Sequence, residues 1–146
     1  VLFTYSGLTT NDSGLIRAVS EARAAGKRPT VALLKNRYIP DLQKRGSLRT
    51  VFDGRYKFTR YFAPLQHNRP QTVEELYGRN DVELFDLLTD PHEAVNLAAR
   101  KNEHQDLVLA ANAKLNAAVK HEIGVDDGRE LPNIPFMDWT VDRTDL

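Results

Sequence analysis

The sequence has no cysteine, which excludes disulfides, thiolate-bound metals and a cysteine nucleophile from this chain and leaves its redox compartment open. It has no net charge either. Twenty basic residues cancel twenty acidic ones, so no electrostatic footprint points to nucleic acid or an anionic membrane surface. Pairs such as Lys27-Arg28 and Lys44-Arg45 read as solvated loop charges. No apolar run approaches the ~20 residues needed to span a bilayer, and no signal-peptide pattern precedes Val1, which opens inside a strand-like run and so suggests a truncated chain. Internal repeats and low-complexity segments are missing as well.

What is present suffices for one domain. The 146 residues are 41% hydrophobic and 27% charged, ordinary globular usage and not disorder. The best-marked stretch is GSLRTVFDGRYKFTRYFAP, Gly46 to Pro64, where two runs rich in Val, Phe, Tyr and Thr meet at Asp53-Gly54. That pattern predicts a β-hairpin with a two-residue type I′ turn, positive φ at both central residues, and Val51 opposite Tyr56 with Arg49 opposite Phe58. Val51, Tyr56, Phe58 and Phe62 then share one largely apolar face that must be covered, while Lys57 and Thr59 point the other way.

Before the hairpin, Val1 to Tyr5 reads as a buried strand ended by Ser6-Gly7. Asp12 or Ser13 can cap an amphipathic helix with Leu15, Ile16, Val19 and Ala22 on one stripe and Gly26 at its stop. Val31 to Leu34 fits a short strand or, as the reading favoured here, a helix starting near Pro29, and Pro40 breaks the pattern. Beyond the hairpin, Ala63 to Thr72 is an irregular loop. Thr72 to Tyr77 has capping-box spacing for a short helical turn. Val82 to Leu87 reads as a strand covered on both sides. Asp90-Pro91-x-Glu93 has the pattern of a helix start, with Asp as cap, Pro in the first turn and Glu reaching back. Glu103 to Ile123 is the strongest helix, its stripe formed by Leu107, Val108, Ala111, Leu115, Ala118 and Val119, and it should lie on the sheet. The tail from residue 125, with Phe136, Met137 and Trp139, reads as docked on a surface. The expected architecture is α+β: a small antiparallel sheet of about four strands around the Asp53-Gly54 hairpin, a long C-terminal helix over it and an additional N-terminal helix.

Two of these segments carry a resemblance. LRTVFDGRYKFTRYF followed by ELFDLLTDPHEAVNLA is similar to the C-terminal region of the sulfatase family, where a TGRYKYIRYF-type hairpin precedes ELYDLxxDPxExxNLA. Glu83, Leu84, Asp86, Leu87, Asp90, Pro91, Glu93, Asn96, Leu97 and Ala98 match the second motif, with Phe85 for the usual Tyr, and the likeness extends over roughly Val1 to Gly124. It implies one unit, the C-terminal subdomain of an arylsulfatase-like enzyme of the alkaline phosphatase superfamily. Residues 1–45 would be the entry strand, helix and a variable insertion, 46–124 the hairpin, strand and helices, and 125–146 the docked tail.

The catalytic equipment of that family does not occur in this sequence. Its C/S-x-P-x-R signature, whose first residue becomes formylglycine, is absent, and no calcium-binding set of Asp and Asn is marked out. H-E-x-x-H fails because Asn96 stands where the second His belongs. G-x-S-x-G, the P-loop and G-x-G-x-x-G are missing too. Asp126-Asp127-Gly128 is too short for a calcium loop, and His104 and His121 read as surface histidines. The resemblance therefore implies calcium and formylglycine for the parent enzyme, held outside this chain, with an N-terminal catalytic domain of the same polypeptide as partner and a small sulfate ester as the parent's substrate. It is compatible with a periplasmic or secreted parent. Within the chain no catalytic or metal-binding residue is assigned, and Tyr5 and His67 are the substrate-side candidates, set against plain readings as a core tyrosine and a solvated loop histidine. Two alternatives stand beside this: a related phosphonate or phosphodiester hydrolase, and a non-catalytic phosphosugar-binding β-α-β module built from Val1 to Lys35.

Overall fold

A computed structural model describes residues 1–7, 12–29 and 41–128. Strands β1 (Leu2–Ser6), β2 (Ser47–Phe52), β3 (Tyr56–Phe62) and β4 (Asp81–Asp86) form an antiparallel meander in the order β1-β2-β3-β4. Helix α1 (Ser13–Ala24) leaves β1, α2 (Val73–Arg79) precedes β4, and α3 (Lys101–Glu122) follows a 3-10 turn at Leu97–Ala99. The α+β architecture, the four-stranded sheet and the long C-terminal helix are those read from the sequence. No helix among the described residues is long and apolar enough to cross a membrane.

One face of the sheet carries Leu2, Val51, Phe58, Val82 and Leu84, and α3 covers it with Val108, Ala111, Leu115 and Val119. Phe58, Leu84, Val108 and Leu115 are wholly buried, each contributing about 1.5–3 kcal/mol of hydrophobic stabilisation. Gly124 at φ +85 lets the chain turn away after α3, as its place in the sequence suggests.

The hairpin differs from the expected one in register. Val51 stands opposite Phe58, Arg49 opposite Arg60 and Phe52 opposite Lys57. The two residues at the tip are therefore Gly54 and Arg55, not Asp53 and Gly54. Gly54 has φ +104 while Asp53 is not in the positive-φ region, the arrangement of a turn with glycine at its first central position. Asp53 prefers the closing position because its Oδ1 accepts from the backbone N–H of Arg55 and Tyr56. The slip is two residues, and side chains alternate with period two, so every side chain keeps its expected face.

Three other expectations are corrected. Val1 to Tyr5 is not buried: β1 is an edge strand whose Phe3 and Tyr5 are exposed on the face away from α3. The Thr72 capping box starts a seven-residue helix rather than a single turn. Asp90-Pro91-x-Glu93 starts no helix. Glu93 takes φ +55, which breaks a right-handed turn, and the Asp90 carboxylate accepts from Ala94 and Val95 four and five residues on. At the N-terminal helix the cap is Asp12, which accepts from Gly14 and Leu15 and also from Asp41 N. The Val31 to Leu34 reading and the Phe136, Met137 and Trp139 tail lie outside the described residues.

Candidate functional site

The two motif segments interlock residue by residue. Arg55 of the hairpin donates to Asp86 at the end of β4, Nε to Oδ1 at 3.0 Å and Nη2 to Oδ2 at 2.6 Å. This bond holds the Asp86 carboxyl at about 2. Lys57 pairs with Glu93, which explains why Glu93 faces the sheet instead of reaching back to a helix start. Asn96 completes the join, its Oδ1 accepting from Leu84 N and Ala98 N and its Nδ2 donating to Val82 O. It thereby satisfies the outer edge of β4, which would otherwise leave backbone groups unpaired. Charged residues of both motifs thus have architectural partners.

A second polar cluster lies under the helix-covered face, at the other end of the hairpin. Arg49 and Arg60 are cross-strand partners on this face and each is about 1% exposed. Their positions have the parity of Val51, Phe58 and Phe62, so strict alternation would have placed both inside. Arg49 donates Nε to Asp126 Oδ2 at 3.2 Å and Nη2 to Oδ1 at 2.8 Å, and it lies over the Phe62 ring. His67 Nδ1 lies 2.9 Å from Asp126 Oδ1, and its ring meets Phe62 edge-on. Burial pushes the Asp126 carboxyl up, but the bonds from His67 and Arg49 outweigh it and bring the group down to about 2.

Arg60 is held differently. Its Nη1 donates to Asn112 Oδ1 and Asn116 Oδ1, both at 2.9 Å, and both asparagines donate Nδ2 to Pro70 O. The carbonyl of Pro70 thereby fixes which way each amide faces. Burial lowers the Arg60 guanidinium to about 10, as expected for a desolvated cation. Asn68 and Asn80 exchange hydrogen bonds and tie the loop after β3 to the C-terminal end of α2.

The two substrate-side candidates are not brought together. Tyr5 projects from β1 onto the open face and is 46% exposed, so it is not a core tyrosine. His67 belongs to the covered side and is 1% exposed, so it is not solvated. Sequence reasoning missed Arg49, Arg60, Asn112, Asn116 and Asp126; the asparagines share the stripe of Val108, Ala111, Leu115 and Val119 in α3, and that spacing was their one signal. The open face presents Val1, Phe3, Phe52 and Leu48 beside a Thr50–Thr59 hydroxyl pair and a Tyr61–Glu83 hydrogen bond. Burial raises the Tyr61 phenol, with Glu83 adding to it, to about 12. Among the described residues no group of three or more His, Asp or Glu side chains is placed to hold a metal ion. Comparison with protein-family models, curated proteins and solved structures finds no match to this chain.

Proposed function

We propose that this chain is the C-terminal subdomain of a sulfatase-family hydrolase whose parent polypeptide cleaves sulfate esters, and that the subdomain supplies architecture and not the reacting groups. The observation that carries this reading is the interlock of the two motifs. Arg55 pairs with Asp86, Lys57 with Glu93, and Asn96 with the edge of β4, so residues that carry the resemblance form one structural unit, which supports the reading. Nucleophile, calcium ligands and the cations around the ester would reside in an N-terminal catalytic domain. There a metal ion and fixed positive charge would stabilise charge on the transferring group.

No specific observation favours the β-α-β phosphosugar reading. Its Ser-Gly-x-Thr-Thr loop, residues 6–10, is described only at Ser6 and Gly7, and its possible second strand at Val31 to Leu34 lies outside the described residues. The test has two arms. Purified alone, this chain should not turn over an aryl sulfate with or without calcium, and turnover above a mock preparation would defeat the subdomain reading. The parent polypeptide should carry C/S-x-P-x-R upstream of Val1 and hydrolyse an aryl sulfate. A Thr nucleophile there, with activity on a phosphonate ester instead, would move the assignment to the phosphoryl-transfer relatives.

A further inference from the structure

The two edges of the sheet are finished differently. At β4 the outward backbone groups of Leu84 and Val82 bond to Asn96. At β1, among the described residues, β2 is the only strand neighbour. The ladder shows which way the backbone of β1 points. Val1 and Phe52 exchange both backbone bonds, at 3.0 and 3.1 Å, and Gly7 N donates to Gly46 O. Hydrogen-bonded and non-hydrogen-bonded pairs alternate along an antiparallel ladder, so Phe3 and Tyr5 also bond to β2 while Leu2 and Thr4 turn their N–H and C=O groups outward. Leu2 to Ser6 holds no charge, no proline and no bulge, the devices that usually keep edge strands apart.

An identical strand satisfies this edge. With two β1 strands laid antiparallel and Phe3 on a twofold axis, Leu2 exchanges both backbone bonds with Thr4 of the second copy, and Thr4 does the same with the other Leu2. These bonds use only outward groups. On the open face the same register sets Phe3 against Phe3 and each Val1 against Tyr5 of the other copy. Val1 is 93% and Phe3 57% exposed, and non-hydrogen-bonded pairs bring side chains closest, with Cα atoms about 4.5 Å apart, so the contact covers them. The strand is uncharged, so a second copy meets no like charge along it. On the helix side the edge borders a groove lined by Leu2, Thr4, Glu122 and Ile123, and Glu122 is hydrogen-bonded to His121.

We propose that β1 is a self-association edge, through which two copies of this chain pair antiparallel about a twofold axis at Phe3 and join their sheets into one. Asn96 closes the β4 edge, so assembly stops at the dimer. A pairing this short lies below the ~1,200 Å² of standard interfaces, so the dimer is weak and reversible. The site is independent of the sulfatase reading, and its test does not read hydrolysis. Sedimentation equilibrium of the purified chain, from micromolar to millimolar concentration at physiological ionic strength, should show monomer and dimer. Amide exchange at Leu2 and Thr4 should slow as concentration rises, while Phe3 and Tyr5 stay protected throughout. Thr4→Pro removes an outward N–H and no bond to β2, and it should weaken the dimer at least tenfold, the size expected when half of the pairing's backbone bonds are lost. The chain has no cysteine, so Phe3→Cys should yield a disulfide-linked dimer on oxidation. Thr4→Cys should stay unlinked, because in this register its two copies lie beyond the ~7 Å reach of a disulfide. A monomer at millimolar concentration, an assembly larger than two, exchange at Thr4 that ignores concentration, a dimer that survives Thr4→Pro, or equal linking of the two cysteine variants would each overturn the proposal. If Thr4→Pro does not fold, the exchange profile and the cysteine variants decide.

Discussion

Replacing Asp126 with Asn removes a charge but keeps the shape, so it imitates the protonated carboxyl permanently. The carboxyl lies at about 2 in the folded protein against 3.8 for the free side chain. At about 1.4 kcal/mol per pH unit, that gap makes the ionised form worth roughly 2 kcal/mol of folding stability at pH 7. The sign follows from the depressed folded-state value. The stabilisation is fully present above pH ~4, declines as pH falls, and is gone once pH passes below about 2. Asp126→Asn should therefore cost roughly 2 kcal/mol at pH 7, with the difference from the unsubstituted chain shrinking between pH 4 and pH 2. Urea unfolding at pH 7, 5, 4 and 3 measures it, provided the slope with denaturant is unchanged. A cost below about 0.5 kcal/mol at pH 7, or one that does not vary with pH, would refute the assignment of Asp126 as the charge that holds Arg49 and His67. Replacing Arg49 and Asp126 together with Met and Leu should cost less than breaking the pair from one side, because no buried charge is then stranded.

Gly54→Val should cost on the order of 1 kcal/mol or more, since φ +104 is strained for a β-branched residue although space for the side chain is open; chemical denaturation reads the loss, and an unchanged midpoint would refute the turn geometry. Asn96→Ala should cost about 2–3 kcal/mol, because three hydrogen bonds to the edge of β4 and the 3-10 turn vanish together, and amide exchange at Leu84 should accelerate; unchanged protection there would sink the edge-capping role. Thr72→Ala should cost about 1 kcal/mol by removing the cap on Glu75 N, with the loss confined to α2 in exchange measurements.

How much was legible in the sequence varies with the range of the interaction involved. Strand parity, the α3 stripe and the caps at Asp12 and Thr72 depend on neighbours within a few residues, so β-alternation, helical period and capping chemistry determine them locally. The α+β class and the covered face of the hairpin follow from the same terms. The tip register did not, because Asp-Gly suits two turns one residue apart. The choice fell to the Asp53 carboxylate capping Arg55 and Tyr56 and to β4 pairing on the other side of β3.

Asp90 to Glu93 fails as a helix start for a similar reason: the local pattern favours one, but Lys57 draws Glu93 to the sheet from 36 residues away. The buried corner lay furthest from view. Parity marks Arg49 and Arg60 as inward, yet arginine is so seldom buried that composition argues the other way. Only the folded chain brings in Asp126 from 77 residues beyond Arg49 and the Asn112, Asn116 and Pro70 cradle around Arg60. Periodicity decides which side of a strand a charge faces, but whether that side is tolerable depends on partners that no local pattern contains.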